Sequence, residues 1–168
     1  TEYLRLEVVA GTAGLDNEIT LQRIQKPGLA MTGYVDFIHP GRVQVLGASE
    51  LGYLDTLTDE ERRAKLTTLC DCPLACVSIT KSLPVPEELS ELCDARGIPL
   101  LWSSHLSSIF IDRLNLFLDA HLAPRTTVHG VLMDVFGIGV LIRGPSGIGK
   151  SECALDLVVR GHRLVSDD

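Results

Sequence analysis

Gly144-Pro145-Ser146-Gly147-Ile148-Gly149-Lys150-Ser151 reads Gly-x4-Gly-Lys-Ser, a complete phosphate-binding loop pattern. The apolar run Val140-Leu141-Ile142 enters it, and Ser151 to Arg160, closed by Gly161, has helical character. Strand, glycine loop and helix in that order predict a nucleotide-binding α/β unit. Gly144, Gly147 and Gly149 admit backbone angles that a side chain forbids. The loop's backbone N–H groups can then curl around phosphate oxygens at a helix N-terminus, where the dipole favours anions. The whole stretch, with Pro145, Ser146 and Ile148, is therefore the expected nucleotide site. Lys150 brings a mobile positive charge to the β- and γ-phosphates, and the Ser151 hydroxyl is a ligand for Mg²⁺. The chain holds only four lysines, so a chance match in this context is rare.

Downstream, Arg163-Leu164-Val165-Ser166-Asp167 predicts a strand that ends in the pair Asp167-Asp168. Neighbouring strand residues point to opposite faces, so one of the two looks toward the phosphate. A carboxylate there can hold Mg²⁺, with Asp167 a metal candidate, or take a proton from an attacking hydroxyl. Upstream, Val128 to Val135 predicts a strand and Gly137-Ile138-Gly139 a turn. Parallel pairing is the expectation for this sheet. His129, at the strand's start, reads by spacing alone as a buried, satisfied histidine.

Ala123-Pro124-Arg125-Thr126-Thr127 is the expected linker, which divides the chain into domains 1–123 and 124–168. The first part reads as α/β. Residues 3–9 alternate as a strand with Leu4, Leu6 and Val8 on one face. Residues 27–33 read as a loop and 42–46 as a strand. Thr58 and Glu61 form a capping box for a helix to about Cys70. A strand follows at 74–79. A helix runs from Pro86 to Arg96 with Gly97 as its stop, then a strand at 98–102. Ser103 or Ser104 should cap a long helix in which Leu106, Ile109, Phe110, Arg113, Leu114, Phe117 and Leu118 keep helical spacing. Alternating strands and helices make an α/β layer.

The chain has 168 residues, 45% hydrophobic and 22% charged, with net charge −7. Residues 1–124 hold 10 Lys/Arg against 17 Asp/Glu, and residues 125–168 hold five of each. The acidity therefore lies outside the loop region, and it speaks against a nucleic-acid or anionic-membrane surface. No apolar run approaches the roughly 20 residues that span a bilayer. Five cysteines without a framework spacing suit a reducing cytoplasm. Cys70, Cys72 and Cys76 do not match a usual zinc spacing and read as packing, as does Cys153.

Three stretches in order resemble the HPr kinase/phosphorylase family: Val128-His129-Gly130-Val131-Leu132, Gly144 to Glu152, and Arg160-Gly161-His162-Arg163-Leu164-Val165-Ser166-Asp167-Asp168. Lys26-Pro27-Gly28-Leu29-Ala30-Met31-Thr32-Gly33-Tyr34 resembles that family's N-terminal domain. Ser166 stands where the family more often has Ala. The resemblance implies an N-terminal α/β domain followed by the beginning of a P-loop kinase domain of the phosphoenolpyruvate-carboxykinase-like kind. It implies a bacterial cytoplasmic enzyme that phosphorylates a serine of the phosphocarrier HPr with ATP or pyrophosphate, and removes that phosphate by phosphorolysis. By position, His129, Lys150 and Asp168 are then catalytic, Asp168 accepting the serine proton and returning it in reverse. Mg²⁺ is the implied metal, ATP, pyrophosphate and phosphate the small partners, and a homohexamer the full-length assembly. The family's kinase domain continues past the Asp-Asp pair, so the sequence reads as a truncated form. Two rival readings are a non-catalytic nucleotide-binding fragment and another P-loop small-molecule kinase.

Overall fold

The computed structural model describes residues 3–167, which fall into two compact units, 1–123 and 124–168. The first is built on four strands: β1 (Leu6–Ala10), β2 (Val43–Leu46), β3 (Cys76–Ile79) and β4 (Leu100–Ser103). Their order is β1-β4-β3-β2, with β2, β3 and β4 mutually parallel and β1 antiparallel at the edge. Every residue of β2 and β3 is buried, as strands of a parallel sheet covered on both faces must be.

Five helices provide the cover: α1 (Gly28–Met31), α2 (Ala48–Asp55), α3 (Asp59–Cys70), α4 (Glu87–Arg96) and α5 (Ser107–Leu122). Alternation along β3 divides the core in two. Val77 and Ile79 join Leu66 and Leu69 of α3 and Leu89, Leu92 and Cys93 of α4. Cys76 joins Val43, Val45 and Phe110, Leu114 and Leu118 of α5. The first unit is thus a helix–sheet–helix sandwich.

Helix ends follow local chemistry where the sequence supplies it. Thr58 Oγ1 accepts from the Glu61 N–H, and the Glu61 carboxylate accepts from the Thr58 N–H. Gly97, left-handed at φ 61°, ends α4. Four expectations fail. Ser103 does not cap α5, because its hydroxyl donates to the Leu4 carbonyl at 2.8 Å, and the helix starts at Ser107 instead. Leu106 and Ile109 are consequently exposed. Val8 is also exposed, because the β1–β4 register shifts between Val8 and Ala10 and re-aims the edge strand. The 27–33 segment contains α1 rather than loop alone, and α2 has no counterpart in the sequence reading.

Arg62 ties α3 to α4. Its Nε and Nη2 donate to Glu88 Oε1 at 2.9 and 2.6 Å, and Nη2 also reaches Asp59 at 2.9 Å. The Arg62 hydrogen bond holds the Glu88 carboxyl below its ordinary 4.5. A lowered folded value means that the stabilisation is full above 4.5 and is lost as pH falls below it. The melting temperature should therefore drop on acidification from about pH 5 to about pH 3. Glu88→Gln should melt lower than the parent at neutral pH, and the gap should close in acid. A gap that stays constant across the titration would show that the pair contributes nothing.

The second unit has β5 (Val131–Val135), β6 (Ile138–Ile142), α6 (Lys150–Val159) and β7 (Arg163–Ser166). The order is β6-β5-β7 and both pairings are antiparallel, which corrects the parallel sheet expected from the motif. The reason is the two-residue connection Phe136-Gly137, at φ 54° and 80°, which can join only antiparallel neighbours. The Asp134 carboxylate braces it by accepting the Gly137 N–H at 2.8 Å. Because β6 and β7 both oppose β5, they run parallel to each other, and α6 is the crossover between them. Val131, Met133 and Ala154 form the buried centre of this unit. Cys153 is exposed rather than core, since Ala154 is the helix residue turned to the sheet. Among the described residues, no helix is long and apolar enough to cross a membrane.

Candidate functional site

Gly144 to Gly149 connects β6 to α6 by the shortest route, and the backbone does what the glycines permit. Gly147 has φ 79°, and Gly149, the residue before the first turn of α6, has φ 99°. Both values lie where a Cβ is strained. The loop residues 144–148 are exposed, so their backbone is open to an anion. Lys150 Nζ donates to the carbonyls of Gly144 and Pro145 at 3.1 and 3.3 Å. The ammonium is folded over its own loop.

Two clefts flank the loop. One, of about 490 Å³, is lined by Thr127, Val128, His129, Arg143 and Gly144. His129 is exposed there, not buried as its spacing suggests. It can stand this close to β6 because Gly130 has no side chain: a Cβ at Gly130 would lie 2.7 Å from the Ile142 carbonyl oxygen. The other cleft, of about 500 Å³, brings Ser151 of the first turn of α6 together with Asp167 beyond β7. Residues 16 apart in sequence thus share one recess because the α6 crossover returns the chain beside its own start. Asp168 lies outside the described residues.

A hydroxyl and a carboxylate are hard oxygen donors, the kind Mg²⁺ prefers. Among the described residues no group of three or more His, Cys, Asp or Glu could hold a metal. Thiols are soft donors, unsuited to Mg²⁺. Cys70, Cys76 and Cys93 are buried, and burial pushes the Cys76 thiol up to about 12. A third cleft, of about 330 Å³, lies in the first unit, lined in part by Leu51, Leu83, Arg62 and Glu88. Its arginine is already bound to its glutamate, so it offers no comparable phosphate site.

Arg143 is the site residue that sequence reading passed over. The only signal was its place directly before Gly144, at the end of β6.

A glycine-built phosphate loop between strand and helix, carried on an α/β chain, defines the P-loop kinase class. The model of the HPr serine kinase N terminus matches residues 1–118, and that of the HPr serine kinase C-terminal domain matches residues 120–168. The chain belongs to the HPr serine kinase family. It is 53% identical over 169 residues to the HPr kinase/phosphorylase of Geobacter sulfurreducens, covering 100% of this chain and 53% of that one. It is 44% identical over 167 residues to that of Bacillus cereus, covering 99% and 54%. The chain thus spans about half the length of the curated relatives it matches. Among solved structures, the CBS and DRTGG domains of the regulatory region of Clostridium perfringens pyrophosphatase align with 70% of this chain and 44% of that one. Their TM-score is 0.48 at 14% identity.

Proposed function

We propose that the full-length protein transfers a phosphoryl group from ATP or pyrophosphate to a serine of HPr, and reverses the transfer by phosphorolysis. The observation that carries this reading is the loop's setting. One cleft joins its first residue, Gly144, to His129, and another joins its last, Ser151, to Asp167, on a chain of this family. The loop N–H groups from Gly144 to Ser151 hold the donor phosphates, and Lys150 leaves the loop carbonyls to meet them. Ser151 and Asp167 would hold Mg²⁺, which when bound draws charge from the bridging phosphate oxygens.

The carboxylate of Asp168, placed by sequence alone, takes the proton as the serine oxygen attacks the terminal phosphorus. In reverse, an oxygen of inorganic phosphate attacks the phosphoserine phosphorus and the bond to the serine oxygen breaks. Asp168 takes the proton from the attacking hydrogen phosphate and gives its proton to the leaving serine oxygen, and pyrophosphate is released. One carboxyl group serves both directions, as reversibility requires. His129, across the loop, contacts the transferred phosphoryl group. The enzyme is cytoplasmic and works as a homohexamer.

The test is transfer of label from γ-labelled ATP to HPr by the full-length protein with Mg²⁺. Phosphoserine on HPr is the expected product, and pyrophosphate should appear when phosphate is added to it. No transfer by folded protein with the loop intact would overturn the reading.

A further inference from the structure

The loop explains how a donor phosphate is held. It does not explain how a second phosphate is brought against it. In phosphorolysis two anions must meet, inorganic phosphate in the loop and a phosphate monoester on the protein substrate. Like charges at van der Waals distance repel strongly in a partly desolvated site. Lys150 stands on the loop side, with its ammonium on the Gly144 and Pro145 carbonyls. A cation is needed on the other side.

Arg143 fits that need. It lines the same cleft as His129 and Gly144. Gly144 is the link between the two cations, since it borders Arg143's cleft and its carbonyl holds Lys150 at 3.1 Å. The arginine stem lies beside Gly130, where an added Cβ would meet its Cγ at 3.4 Å. So Gly130, just before β5, leaves room for the side chain at the position that also sets His129. Arg143 is exposed, and among the described residues no side-chain partner holds its guanidinium. Arg160, by contrast, is bound to Asp156 at 2.8 Å. A guanidinium presents a planar fork of donors that matches phosphate oxygens two at a time.

We propose that Arg143 clamps the phosphate monoester of the protein substrate, the group outside the loop, and so sets recognition of phosphoserine over serine. This rests on the reversible transfer proposed above. It has a kinetic signature that a structural role lacks. The serine acceptor carries no charge and the phosphoserine does. Loss of the clamp should therefore fall on KM in one direction and on kcat in the other. In phosphorolysis, Arg143→Ala should raise KM for phosphorylated HPr by about tenfold to a hundredfold and spare kcat. In the kinase direction it should spare KM for HPr and lower kcat by a similar factor, because the overall equilibrium cannot change. Arg143→Lys should recover part of both effects, since it restores the charge but not the fork.

The measurement is steady-state kinetics in both directions on full-length parent and variants, with HPr and serine-phosphorylated HPr as substrates. An unchanged KM for phosphorylated HPr in Arg143→Ala overturns the assignment. So does a fall in kcat in both directions with KM unmoved, which would mark a distorted loop. If the parent itself turns over neither substrate, the function proposed above fails as well, so the two failures are distinguishable.

Discussion

Lys150→Ala in the full-length protein is expected to lower phosphoryl transfer to HPr by about a hundredfold to a thousandfold, the usual loss when one preorganised charge contact to a transition state is removed. The fold should survive. Among the described residues, the Lys150 ammonium bonds to the exposed carbonyls of Gly144 and Pro145, outside the core. Exposed substitutions of this kind shift stability by about half a kcal/mol or less. The two readouts therefore separate, with activity lost and the melting curve nearly unmoved. Lys150→Arg should not rescue. A compact ammonium on a flexible stem reaches between two phosphates, and a planar guanidinium needs more room in a loop whose turns are built from Gly147 and Gly149. Circular dichroism melts and label transfer on the same preparations check both points. Full transfer by the alanine variant would remove Lys150 from the chemistry.

What could be read from the sequence was what local rules determine. The Thr58–Glu61 box and Gly97 end helices through contacts within a few residues, so α3 and α4 were legible almost to the residue. The phosphate loop was legible for the same reason, since its glycines serve local backbone angles. The failure at Ser103 has the opposite cause. Ser103 looks like a cap, but its partner is Leu4, 99 residues away. Helix α2 has weak local signals; it is fixed by Glu50, whose carboxylate accepts from the Gly47 N–H at 2.9 Å and meets Lys26 at 3.3 Å. Strand direction in the second unit turned on a two-residue connection, where Phe136 takes a positive φ that residue type seldom adopts. In the site, the motif residues were visible singly. That Ser151 and Asp167 line one cleft, and His129 and Arg143 another, belongs to the strand order β6-β5-β7 and could not be read from spacing.

Phe110→Ala should be the most damaging single change in the first unit. Phe110 is 1% exposed and sits one turn before Leu114 and two before Leu118 on the buried face of α5. Its ring packs in the cluster of Leu4, Val43, Val45 and Cys76, so it joins the edge of the sheet to the helix that covers it. Truncating a buried phenylalanine costs about 3–5 kcal/mol, the spread reflecting how far the site can collapse. Here collapse is poor. A recess of about 150 Å³ lined by Leu4, Val43, Phe110 and Leu114 is already present in this layer. The space left by the ring would merge with it, which favours the upper part of that range. Domains of this size are stable by roughly 5–15 kcal/mol, so the change removes a large share of the margin. The expected result is a fall of about 10–20 °C in the melting temperature of the first unit. Phe110→Leu, which keeps most of the volume, should lose less than half as much. Thermal melts of the full chain, followed by circular dichroism, measure the order of the three proteins. An alanine variant that melts with the parent would mean that α5 is held by contacts other than this ring.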